Sequence, residues 1–212
     1  MDFLTTHADH PRATLLLAHG AGAPMDSPFM DAITTELTAK DIDVIRFEFA
    51  YMAARRKGMR KPPPRAERLA PEFVAAVDAT ETGQPLFIGG KSMGGRVASL
   101  VADDLYRSGR IAGLVCLGYP FHPPAKPDAL RTAHLETLGV PTLICQGTRD
   151  SFGTKDDVSR YGLCECIDFI WLEDGDHDFK PRKRSGLSQA DHISAAAEAI
   201  ANWMKAAADR AV

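Results

Sequence analysis

The chain has 212 residues, 45% of them hydrophobic and 25% charged, with a formal net charge of −3. That length suits one domain over residues 1–212 with a substantial core, and the balance is that of a globular rather than a disordered chain. The near-neutral charge gives no global reason to expect nucleic acid, and no apolar run approaches the roughly 18 residues of a bilayer span.

The opening MDFLTTHADHPR has no basic segment followed by an apolar one, so no secretory leader is expected. TLLLAHG (14–20) is the first of six short, near-continuous apolar runs. Ser27-Pro28 then reads as an N-cap with proline at the first helical position, ahead of Phe29, Ile33 and Leu37 on one face. DVIRFEF (43–49) is the second run. YMAARRKGMRKPPPRAER (51–68) is basic and proline-rich; it reads as a solvated loop or as a border of the active site that favours anionic substrates, ahead of a nucleic-acid contact, for which the charge is too local and lacks interleaved aromatics. A helix is predicted near Leu69–Thr80, with Phe73 and Val77 on one face and Pro71 marking its start.

PLFIGG (85–90) leads into a helix from Met93 to Arg107 with a stripe of Val97, Leu100, Val101 and Leu105, and Gly109 is placed to end it. IAGLVCLGY (111–119) and PTLICQG (141–147) follow, then Thr154-x-x-Asp157, which resembles a capping box. After CIDFIWLE (166–173) comes a second short basic stretch, KPRKRSG (180–186). Ser188-x-x-Asp191 opens a last helix carrying Ile193, Ala197, Ile200 and Met204. Near-continuous apolar strands alternating with amphipathic helices point to an α/β fold with a compact, doubly wound, mostly parallel sheet of about six strands.

Cys116 and Cys145 lie within apolar runs and read as buried small hydrophobes. Cys164-x-Cys166 is one close pair with no second pair, too little for a metal site. The expectation is a reduced, cytoplasmic protein with neither metal nor organic cofactor.

LFIGGKSMGGRVAS (86–99) admits two chemistries. A phosphate-binding loop, G-x-x-x-x-G-K-[ST], would need glycine at position 85, which is Pro85, and strand residues occupy the space of the loop. The other parse is a nucleophilic elbow, with Ser92 on a sharp strand-to-helix turn and Gly90 and Gly94 giving clearance on either side. The Met93 N–H would face an oxyanion there, aided by the positive end of the following helix. A second donor is expected from the loop His19-Gly20-Ala21-Gly22-Ala23, where Ala21, Gly22 and Ala23 are all candidates and His19 shapes the loop. Asp150, at the carboxyl end of an apolar run, is the candidate acid. His177, in the loop after the last run, is the candidate base. Asp174, Asp176 or Asp178 is the alternative partner for its ring, and His192 sits early in a helix, less well aimed at the sheet edge.

Gly90-Lys91-Ser92-Met93-Gly94, Asp150 in GTRD and His177 in DGDHDF together resemble the α/β-hydrolase superfamily. The nearer likeness is to small single-domain bacterial hydrolases allied to dienelactone hydrolase and to a related group that includes a chromatin-associated NSL-complex subunit. HGAGAPMDSPFM, RKPPPRAE and YPFHPPAKPDALRTAHL extend it over nearly the whole chain. The resemblance implies a fold of that type, from whose full pattern this chain departs in lacking the first strands and any large cap insertion. It implies a Ser92–His177–Asp150 triad acting on an ester or thioester of a small acyl substrate, with no membrane or nucleic-acid partner. Dienelactone hydrolase has cysteine where this chain has Ser92, so that enzyme's own substrate is not implied. The chromatin-associated relatives imply the alternative, a non-catalytic binding or scaffold protein. Tyr119-Pro120-Phe121-His122-Pro123-Pro124 is expected to border the pocket, with Phe121 and His122 touching substrate, or else to form a rigid crossover.

Overall fold

Each apolar run becomes a strand in the computed structural model, which describes residues 1–59 and 62–210. Arg60 and Lys61 of the first basic stretch lie outside the described residues, as do positions 211–212. The strands are β1 (Phe3–Thr6), β2 (Ala13–Ala18), β3 (Ile42–Phe47), β4 (Leu86–Lys91), β5 (Gly113–Leu117), β6 (Thr142–Gly147) and β7 (Ile167–Leu172). They form one seven-stranded sheet in the order β1-β3-β2-β4-β5-β6-β7, parallel except that β1 runs antiparallel to β3.

The sheet thus has one strand more than the six expected, and an edge strand at its amino-terminal side. β1 has four residues and only partial burial, too short for a period to show. Pairing Phe3 with Phe47 and Thr6 with Val44 is what makes it a strand.

The helices are α1 (Pro28–Thr38), α2 (Ala50–Arg56), α3 (Ala66–Asp78), α4 (Met93–Arg107), α5 (Lys155–Val158) and α6 (Gln189–Arg210). Successive side chains of β2 enter opposite layers, as strand geometry requires. Leu16 and Ala18 pack with Phe73, Val97 and Ala98 from α3 and α4. Leu15 and Leu17 pack with Ile33 and Leu37 of α1 and Ile193, Ile200 and Met204 of α6. All of β2, β5 and β6 is buried, which is why their sequences are nearly continuously apolar rather than alternating. No cap domain covers the sheet, and no helix among the described residues is long and apolar enough to cross a membrane.

Helix ends follow the local chemistry. Ser188 Oγ accepts from Asp191 N while Asp191 Oδ2 accepts from Ser188 N, and Thr154 and Asp157 form the same reciprocal box. Gly109 takes φ 69° just past α4. Ser27 caps α1 by backbone geometry alone, with no side-chain bond.

Three readings are corrected. Pro71 lies inside α3 rather than at its start; the carbonyl it leaves unpaired is that of Glu67, on the exposed first turn where water can reach it. Part of the first basic stretch is helical, as α2, built on the good helix formers of AYMAARR. Cys164 and Cys166 pair with each other as a disulfide instead of staying reduced, because the turn ahead of β7, closed by Ile167 N donating to the Cys164 carbonyl, brings their Cα atoms to 5.2 Å. Cys116 and Cys145 are free and buried, and burial pushes the Cys145 thiol up to about 12.

Candidate active site

β4 ends one residue before Ser92, and α4 begins one residue after it. The turn between them holds Ser92 at φ 52° and ψ −114°, a conformation unfavourable for a residue with a side chain. Its N–H is occupied by the Leu117 carbonyl at 2.9 Å, which anchors the turn to β5. The flanking glycines are steric requirements. A Cβ on Gly90 would lie 2.5 Å from the Gly94 carbonyl carbon and 2.7 Å from the Ala18 carbonyl oxygen, and one on Gly94 would strike the same Ala18 carbonyl. β2 and α4 approach the elbow too closely for any side chain.

Residues far apart in the chain meet at the carboxyl ends of the parallel strands. Asp150, fully buried, lies beyond β6; His177 follows β7 and is partly exposed. His177 Nδ1 is 2.8 Å from Asp150 Oδ2, and its Nε2 is 2.8 Å from Ser92 Oγ. With the carboxylate accepting from Nδ1–H, the free lone pair on Nε2 accepts from the serine hydroxyl. Phe152 packs against the imidazole with ring centroids 4.3 Å apart.

The acidic neighbours of His177 are engaged elsewhere. Asp174 pairs with Arg149 and Arg182, Asp176 accepts from Asp178 N and Lys180 N, and Asp178 pairs with Lys91. Hydrogen bonding to Arg182 holds the Asp174 carboxyl below the ordinary aspartate range. His192 is buried, with Nδ1 2.7 Å from the Phe179 carbonyl, away from Ser92.

Three supports were not anticipated from sequence. Gln146 donates to Asp150 Oδ2 at 2.9 Å while its Oε1 accepts from Tyr119 N at 2.7 Å, and Phe152 N donates to Asp150 Oδ1 at 2.8 Å. A glutamine inside an otherwise apolar strand was the available signal, since a buried amide must find partners. Lys91 is buried at the end of β4, donating to the His177 carbonyl at 2.8 Å, pairing with Asp178 at 3.1 Å and standing 5.2 Å above the Phe29 ring. It ties the histidine loop to the elbow.

The loop after β2 is equally braced. His19, fully buried, has Nδ1 2.6 Å from the Gly20 carbonyl, and its Nε2 accepts from Phe49 N at 3.2 Å. Those partners require the neutral ring, and burial lowers its pKa below 6.5 accordingly. Tyr51 donates to the Ala21 carbonyl at 3.1 Å. The loop-shaping expectation for His19 matches this placement.

A cleft of about 530 Å³ opens beside Ser92, walled by Met93, Ala21, Pro120 and Phe152, by Pro63–Glu67 from the first basic stretch, and by Arg96 and Arg131. Gly22 and Ala23 are not among its lining residues. Phe121 and His122 do not reach it either: Phe121 is buried against Tyr119, Tyr161 and Phe169 at 4.8, 5.8 and 6.3 Å, and His122 is buried with Nδ1 at the Pro123 carbonyl. The expectation that Phe121 and His122 border the cleft is corrected: Pro120, just before them, lines it, and Phe121 turns inward because its apolar ring joins the core with Tyr119 and Leu135. A larger groove of about 850 Å³ lies at the opposite ends of β4 and β5 and contains none of these groups. Among the described residues no cluster of His, Cys, Asp or Glu is arranged to hold a metal.

The model of a family described as an alpha/beta hydrolase domain matches residues 11–205. Solved structures resemble the chain throughout. A dienelactone hydrolase from Anabaena variabilis is 18% identical with a TM-score of 0.68, over 96% of this chain and 90% of that one. XC6422 from Xanthomonas campestris, described as an α/β serine hydrolase without a lid, is 16% identical with a TM-score of 0.68, over 95% and 88%. A monoacylglycerol lipase from Paleococcus ferrophilus is 15% identical with a TM-score of 0.64, over 98% and 100%. At these identities the likeness is one of fold.

Proposed function

Because the chain belongs to the alpha/beta hydrolase domain family, we propose that it is a serine hydrolase cleaving an ester or thioester of a small substrate through an acyl-enzyme. The observation that carries this reading is the continuous chain from Ser92 Oγ through His177 to the buried Asp150, each link 2.8 Å. His177 takes the hydroxyl proton as Ser92 attacks the carbonyl, and the Asp150 carboxylate holds the imidazole and stabilises its charged form. The developing oxyanion is met by the Met93 N–H at the start of α4 and by a second N–H from the Ala21 loop, each worth about 3–4 kcal/mol. His177 then gives the proton to the departing alcohol or thiol. A water, deprotonated by the same ring, attacks the acyl carbon and releases Ser92.

Gln146 and the Phe152 N–H keep the carboxylate oriented, and Lys91 keeps the histidine loop at the elbow. A fluorophosphonate probe tests the reading, since it bonds to an activated serine. We expect labelling of the intact protein and none of Ser92→Ala, with ester turnover falling by at least about 10⁴-fold in that variant. Absence of both labelling and turnover in the intact protein would leave the fold as a binding module.

A further inference from the structure

The wall of the cleft beside Ser92 carries more positive charge than the protein uses. Arg65, Arg96 and Arg131 line it, against one carboxylate, Glu67. Glu67 is committed to Arg96, whose Nη2 donates to it at 2.6 Å. Glu67 does not satisfy the whole Arg96 guanidinium, whose Nε is buried without an acceptor. No carboxylate among the described residues pairs with Arg65 or Arg131. Arg131 is also held in place: its N–H donates to the Phe121 carbonyl at 2.7 Å, and its own carbonyl accepts from Tyr119. Elsewhere this molecule pairs half-buried arginines, as Arg110 with Asp78 and Arg149 with Asp174, so the half-buried, unpaired Arg131 stands out in the cleft beside Ser92.

We propose that the substrate is anionic: the acyl or leaving group carries a carboxylate or phosphate that Arg131, Arg96 and Arg65 bind while its ester carbonyl lies at Ser92. This deepens the hydrolase reading and rests on it for the position of the carbonyl, but the anion site itself does not. Guanidinium groups suit either anion because their planar donors match its oxygens in pairs. Burial first, and the adjacent Arg96 second, lower the Arg131 pKa, with Tyr119 and Glu67 partly offsetting them.

Two 4-nitrophenyl esters with the same leaving group test this, the glutarate monoester and its neutral methyl ester. The wild-type protein should favour the anionic ester by about 10-fold or more in kcat/KM, chiefly through KM, as loss of a hydrogen bond to a charged group would give in reverse. In Arg131→Gln the ratio should fall to about one, and Arg131→Lys should give an intermediate value. A ratio at or below one in the wild type, or one unchanged in Arg131→Gln, overturns the proposal. Calorimetry with glutarate and with inorganic phosphate separates this from failure of the hydrolase reading. Millimolar binding of either, weakened in Arg131→Gln and in the exposed Arg65→Gln, supports the site even if neither ester is cleaved, and the tighter anion identifies the class. No binding of either anion overturns it.

Discussion

Burying the ammonium of Lys91 is expensive, and desolvation pulls its pKa below the ordinary lysine value, with Asp178 only partly offsetting it. The position tolerates this because the Nζ bond to the His177 carbonyl fixes the imidazole over Ser92. Lys91→Met keeps the length of the side chain and removes the charge. It should slow fluorophosphonate labelling by about 10–100-fold, as small misplacements of reacting groups do, while the fold remains intact by circular dichroism. An unchanged labelling rate would show that the histidine loop holds its place without Lys91. Gly90 makes a different demand. The Cβ of Gly90→Ala would collide with the backbone of Gly94 and Ala18, which cannot retreat without moving α4 or β2. That substitution should cost about 3 kcal/mol or more of stability, measurable by denaturant titration.

The loop between β2 and α1 illustrates the element scale. Its small residues leave the backbone bare, and rigidity comes from buried neighbours: His19, Tyr51, and Arg46, which donates to the Met25 carbonyl at 2.8 Å. This makes the loop sensitive to pH. His19 titrates below 6.5 in the folded protein, so as pH falls the unfolded chain takes up the proton first. The stability that the neutral ring contributes is complete above pH 6.5 and is lost as pH falls toward the folded-state pKa. The melting temperature should therefore drop between pH 7.5 and 5.5, and the drop should shrink in His19→Gln. Equal pH slopes in the two proteins would place the sensitivity elsewhere. α3 belongs to the same scale, because its first turn, with Pro63–Arg65 ahead of it, makes the end of the first basic stretch a wall of the cleft.

At the scale of the molecule, β1 covers the outer edge of β3, and Phe3 packs on the core. A chain lacking residues 1–8 would expose the unpaired edge of β3, and should scatter light on warming at temperatures where the intact protein stays clear.

Much of this architecture was legible in one dimension. Strands buried on both faces must be continuously apolar, helix ends need caps and glycines, and an elbow needs clearance, so these features leave local marks in the chain. The order serine, aspartate, histidine at successive strand ends was readable for the same reason. What local patterning cannot encode is contact between residues 27 and 85 positions apart, which depends on strand order and register. Only the assembled sheet decided that Asp150 rather than Asp174, Asp176 or Asp178 faces His177. It alone decided that Phe121 turns into the core, that Lys91 reaches the histidine loop, and that Arg65, Arg96 and Arg131 share one cleft. Periodicity marks which side of an element is apolar; the packing of one element on another determines what its polar residues meet.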